Sequence, residues 1–145
     1  STRSYSVPSA SKATLVAVGN LTGTKNIDVV VYRDQKELAI VSGDSVDSYD
    51  RNVGIPLADN PTMLQVGDLN GDGLDDIVYA LGKTVKMLIN DRNNPGKSFV
   101  VASETINVDF AVESLAVVDV DWNKKYDIAI ANHMQSRILT YVNKL

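Results

Sequence analysis

LQVGDLNGDGLDDIVYA, residues 64–80, sets an acidic loop between two short apolar runs. Asp68, Asn70, Asp72 and Asp76 fall at positions 1, 3, 5 and 9 of that loop, with Gly73 at position 6. The alternation turns successive side-chain oxygens toward one centre, and glycine permits a sharp turn that an L-residue resists. Hard oxygen donors at this spacing suit calcium. Asp68, Asp72, Asp75 and Asp76 crowd into nine positions, and their charges would repel one another in a compact loop unless a cation or water offset them. Asp75 is expected to point outward, as a solvated neighbour rather than a ligand. The competing reading is a hairpin turn without metal, because Asn, Gly and Asp also dominate such turns.

The first six loop positions match the start of an EF-hand, but position 12 is Tyr79 where that motif needs a bidentate Glu. The flanks LQVGDL and DIVYAL are short and rich in apolar residues, so they are expected to be strands. The stretch is therefore a strand-loop-strand calcium hairpin.

Two further copies of it exist. VAVGNLTGTKNIDVVVY, residues 16–32, aligns at an offset of 48 and pairs Val18, Gly19, Leu21, Gly23 and Asp28 with Val66, Gly67, Leu69, Gly71 and Asp76. LAVVDVDWNKKYDIAIAN, residues 115–132, aligns at an offset of 51 and pairs Asp119, Asp121, Asn123 and Asp127 with Asp68, Asn70, Asp72 and Asp76. Each hairpin is followed by another strand-like run, KELAIVSG, TVKMLIND or RILTYVNKL, the last after a turn two residues longer. More polar runs follow in the first two units, SYDRNVGIPLA and KSFVVASETINV. Helical periodicity is absent. The expected fold is all-β: β-propeller-type blades of four antiparallel strands, in three repeat units of about 50 residues. The expected division is an arm at 1–12, blade one at about 13–60, blade two at about 61–111 and blade three at about 112–145.

Residues 4–12, SYSVPSASK, precede the first unit as a fourth strand would, and the third unit stops at Leu145 after its third strand. Pairing the first strand into the last blade would protect a sheet edge. Propellers typically have about 4 to 8 blades, so three units are expected to stack on other blades. These would come from a second chain in a six-bladed ring or from the remainder of a longer chain, since an open stack leaves apolar faces in water. The chain opens at Ser1 without Met, as a processed or excised segment would.

Composition narrows the partners. A net charge of −4, a pI near 4.8 and no basic run longer than Lys124–Lys125 give no footprint for nucleic acid or an anionic membrane. No apolar run approaches the ~20 residues of a membrane span. The absence of cysteine removes disulfides, zinc-thiolate sites and thiol catalysis. Asn20-Leu21-Thr22 is a glycosylation sequon, relevant only in a secreted eukaryotic setting.

VGDLNGDGLDDIVYA followed by VKMLIND resembles the FG-GAP and VCBS-type repeats, which build calcium-binding β-propellers of integrin α subunits and of fungal and bacterial lectins and adhesins. The resemblance covers nearly the whole chain and is strongest in the second unit. It implies calcium held by Asp68, Asn70, Asp72 and Asp76 with the backbone carbonyl of Leu74. In the third unit it implies Asp119, Asp121, Asn123 and Asp127 with the carbonyl of Lys125, although Lys124 replaces the turn glycine. In the first unit Asn20, Thr22 and Thr24 replace carboxylates, and no metal is expected. The Phe-Gly and Gly-Ala-Pro signature is missing, which makes the VCBS branch the better comparison.

No enzyme is expected. His133 has no serine motif beside it, the clustered carboxylates belong to the loops, and no GK[ST] ending follows Gly71 or Gly73. Trp122, inside the third loop, is either a platform for a sugar or protein ligand or a plug packed on a neighbouring blade; Tyr126 and Tyr141 are expected to serve blade packing. The resulting expectation is an extracellular recognition or adhesion module, lectin-like in its sharper form and stabilised by one or two Ca2+ ions. The alternative is an architectural assembly subunit, or a piece of a larger propeller, that binds no small ligand.

Overall fold

In the computed structural model, which describes residues 12–33, 36–44 and 54–143, each repeat is an antiparallel meander. Blade one comprises β1 (Ala13–Gly19), β2 (Asp28–Arg33), β3 (Glu37–Val41) and β4 (Gly54–Pro56), hydrogen-bonded in that order. Blade two comprises β5 (Met63–Gly67), β6 (Asp76–Leu81), β7 (Thr84–Asn90), β8 (Phe99–Val101) and β9 (Ile106–Asn107). Blade three comprises β10 (Ser114–Val118), β11 (Asp127–Asn132) and β12 (Arg137–Tyr141). No helix occurs among the described residues.

Four strands per unit holds for blade one. In blade two the outer position is shared by two short strands, both paired with β7, because the polar run Ser103–Glu104–Thr105 leaves the sheet between them. Blade three shows three strands among the described residues. The arm at residues 1–11 and the run at 48–53 lie outside the described residues.

The second strand of each blade is buried on both faces, which is why DVVVYR, DIVYAL and DIAIAN are continuous apolar runs rather than alternating ones. The inner strand β5 lies between β1 and β10. At the first seam Leu21, Val30, Tyr32, Leu38 and Ile40 of blade one meet Leu64, Ile77, Tyr79 and Leu88 of blade two. At the second, Leu69, Val78, Ala80, Val85 and Met87 of blade two meet Leu115, Ile128 and Ile130 of blade three. Each blade thus has one face for the blade before it and another for the blade after it.

The repeat extends to hydrogen bonds across the seams. Asp75 donates its N–H to Asn20 O at 2.8 Å, and Tyr126 donates to Asp68 O at 2.9 Å. The Asn90 amide donates to Leu21 O at 2.8 Å, and Asn143 makes the matching bond to Leu69 O. Asp75 accordingly does not point into solvent: its carboxylate accepts the Asn20 N–H at 2.7 Å, and burial pushes its pKa up. An aspartate beside a seam glycine is drawn into the interface by the close approach of the two backbones.

Candidate metal centre

All three hairpin loops lie between the inner strand and the second strand, so the order of the repeats sets them at one end of the sheets. Asp28, Asp76 and Asp127 open the second strands and are fully buried. Their partners repeat. Asp76 accepts Leu69 N–H at 2.9 Å and Asn90 N–H at 2.8 Å; Asp127 accepts Val120 N–H at 2.9 Å and Asn143 N–H at 2.8 Å. Asp28 accepts Leu21 N–H at 2.8 Å and Gly43 N–H at 3.0 Å. One carboxylate therefore ties the start of each loop to the end of the third strand. Burial, followed by the charges of Asp72 and Asp68, pushes the Asp76 pKa up to about 6, while its two backbone N–H bonds oppose the shift.

The second and third loops share one internal geometry. Asp68 accepts the N–H groups of Gly71, Asp72 and Gly73 at 2.7, 3.1 and 2.9 Å. Asp119 accepts those of Asn123 and Lys124 at 3.1 and 2.9 Å. Leu74 N–H donates to Asp72 and Lys125 N–H to Asn123, at 2.9 and 2.7 Å. Asn70 and Asp121 occupy equivalent places, accepting Asp72 N–H at 2.9 Å and Asn123 N–H at 3.2 Å. In the first loop the Thr22 hydroxyl donates to the Asp28 carboxylate, at 3.0 and 2.9 Å from its two oxygens, so a hydroxyl braces the turn in the place of Asn70 in the second loop and Asp121 in the third.

Asp119, Asp121 and Asp127 bring one carboxylate oxygen each within 4.8 Å of one another. Ligands of a calcium ion sit about 2.3–2.6 Å from it, so oxygens on a common shell are at most about 5 Å apart. The chemistry and spacing of these three oxygens therefore suit such an ion, which takes about 6–8 oxygen ligands in all. Asn123 and the carbonyl of Lys125 complete the sequence-derived set. In the second loop Asp68, Asn70, Asp72, Leu74 and Asp76 hold the same positions of the same turn, but Asp68, Asp72 and Asp76 do not bring their carboxylate oxygens within 4.8 Å of one another.

The third loop departs from the second in its backbone. Gly71 and Gly73 have φ of 77° and 90°; Trp122 and Lys124 stand in their places with φ of 63° and 72°. Left-handed backbone costs an L-residue roughly 1–2 kcal/mol. Trp122 is 88% exposed and so does not plug a neighbouring blade among the described residues. The turn tips the indole away from the sheet. Trp122→Gly is expected to stabilise the chain by about 1 kcal/mol, and Trp122→Ala to leave it within about 0.5 kcal/mol; urea unfolding midpoints check both. Tyr126, by contrast, packs over Gly67 at the second seam, and the Tyr141 hydroxyl reaches Glu104 of blade two. His133 lies in the exposed turn of residues 133–136, its backbone N–H held by Glu113 at 2.7 Å, a bond that keeps the Glu113 carboxyl below its usual range.

No protein-family model matches the chain, and no curated protein matches it by sequence. Among solved structures, BBS1N in complex with ARL6DN, soaked with lead, is similar at a TM-score of 0.53 and 21% identity, over 91% of this chain and 40% of that one. The chain thus spans less than half the length of that neighbour. The likeness, together with three antiparallel sheets and no helix among the described residues, makes this an all-β chain of β-propeller-like architecture.

Proposed function

We propose that the chain is an architectural segment of a larger β-propeller, contributing blades that stack on others and bracing their loops with calcium. One observation carries the reading. The two faces that lack a neighbouring blade are built from the same strand positions that the internal seams bury: Val16 and Val18, at 64% and 59% exposed, correspond to Leu64 and Val66, and Ile138, at 77%, corresponds in strand register to Val85. Exposed apolar faces of this kind call for a covering partner. The complex formed by BBS1N is in keeping with a protein partner. A glycan array probed in calcium is the test. A blank array is expected, and binding lost on Trp122→Ala would replace the architectural reading with lectin-like recognition. That second reading is favoured by one feature, the exposure of Trp122 beside Asp119 and Asp121.

Calcium's place is structural, because every side-chain donor of a site comes from one hairpin, so the ion would fix the hairpin rather than polarise a substrate. At about 10–100 μM affinity, 1 mM calcium adds roughly 1.4–2.7 kcal/mol per site. Thermal melts are therefore expected to rise in calcium over chelator and not in magnesium. Asp121→Ala and Asp72→Ala are expected to remove the third and second loops' shares separately. Equal melts in calcium and chelator would reduce the loops to turns. Such affinities suit calcium-rich extracellular surroundings.

A further inference from the structure

Both internal seams close on a glycine. Gly19, Gly67 and Val118 each end an inner strand and pair in register with Asp28, Asp76 and Asp127. A Cβ on Gly19 would lie 2.7 Å from Val66 Cγ2 and closer still to the Asp75 carboxylate of the following blade. A Cβ on Gly67 would lie 2.5 Å from Val117 Cγ1 and closer still to the Tyr126 ring. The following blade's bulk is thus seated where the preceding strand has no side chain. Blade three breaks this pattern, with a 46% exposed Val118 at the seat and Trp122 in the place of Gly71.

From the repeat, blade one of a second copy would bring Val18 and Ile27 onto Val118, as blade two brings Val66 and Asp75 onto Gly19. It would also bring Gly43 where Asn90 and Asn143 grip the preceding blade; the N–H groups of all three bind the buried aspartate of their own blade. A copy of this chain therefore finds no room at that face; were the room made, it would seat there without the asparagine clamp of the internal seams.

We infer that Val118 determines what docks on the outer face of blade three, barring a second copy of this chain and admitting a different propeller blade. That blade carries glycine or alanine at the positions of Val66 and Asp75. It also carries an asparagine at the position of Asn90, donating to the Val120 carbonyl. The inference rests on the reading of the chain as a stacking segment. It replaces the expected six-bladed ring of two identical chains with a ring completed by other blades.

The test is the mass of the 145-residue chain by light scattering over a concentration series. The wild type is expected to remain at 15.7 kDa. Val118→Gly is expected to assemble to twice that mass at a concentration at least about ten-fold lower than any wild-type association. Adding Val18→Glu to Val118→Gly should return the single mass, because the assembly uses blade one's free face. Wild-type assembly at the same concentration as Val118→Gly, no assembly of Val118→Gly, or assembly indifferent to Val18→Glu each overturns the inference. A second measurement examines the seat within one chain: Gly67→Val should lower the unfolding midpoint and Val117→Ala should restore part of the loss, whereas additive losses would show that the seat is not size-limited. The glycan array is independent of these masses, so binding there with the expected masses would remove the architectural reading alone.

Discussion

Asp76→Ala is expected to lower the unfolding free energy by about 3 kcal/mol, because it strips acceptors from two buried backbone donors at once. Leu69 and Asn90 both give their N–H groups to this carboxylate, and leaving a buried donor unsatisfied costs about 1–3 kcal/mol. Asp76→Asn should cost about half as much. The amide keeps one acceptor and relieves the burial of a charge, but it turns an NH2 toward one of the donors. Against a total stability of roughly 5–15 kcal/mol, the alanine variant would lose a large share. Urea unfolding in chelator is the measurement, since calcium would mix loss of a ligand with loss of the tie. A loss below about 1 kcal/mol in chelator would mean that water replaces the carboxylate and that the tie between loop and third strand is not structural.

The recurrence of this aspartate explains how far the sequence could be read. Asp28, Asp76 and Asp127 survive in all three units, including the first, where the other acids have become Asn20, Thr22 and Thr24. The common element of the repeat is thus a backbone tie, to which two of the copies add further acidic side chains. Spacing alone presents position 9 as one ligand among several, because a carboxylate that accepts N–H groups and one that holds an ion look the same in a string of letters. Strand positions were legible because β-branched runs sit between Gly, Asn and Asp at a fixed period. What the pattern missed were contacts between units. Asp75 reads as solvated because nothing within its own loop claims it, yet its partner, Asn20, lies a whole repeat away. The split of blade two's outer strand was less legible, since KSFVVASETINV reads as one outer run and only its pairing with both ends of β7, on either side of Ser103–Glu104–Thr105, divides it. Phe110 stands in the run NVDFAVES, where Val108, Phe110 and Val112 alternate as in a strand although the segment is a connection between strands.

Phe110→Ala is expected to cost about 3–5 kcal/mol, the range for truncating a buried aromatic. Phe110 is 1% exposed and sits on the connection from β9 to β10, packed with Val85, Ile106, Val112, Leu115 and Ile130 at the seam between blades two and three. The Arg137 guanidinium lies over its ring at 5.0 Å and also binds both Asp109 oxygens at 2.8 Å, so β12 is held to the connection through the same ring. Arg137→Ala should cost only about 1 kcal/mol, because Arg137 and Asp109 are exposed and an exposed ion pair contributes little. Phe110→Leu should fall between the two, keeping apolar volume while losing the face that the cation covers. The denaturant slope adds a second reading. If the three blades unfold together, Phe110→Ala lowers the midpoint at constant slope. If blade three comes away first, the slope falls with the midpoint, because less surface is exposed in the first transition. The first outcome would make the seam around Phe110 the element that joins blade three cooperatively to its neighbours. The second would assign that cooperativity to a blade docked beyond Val118, where the isolated chain leaves a face uncovered.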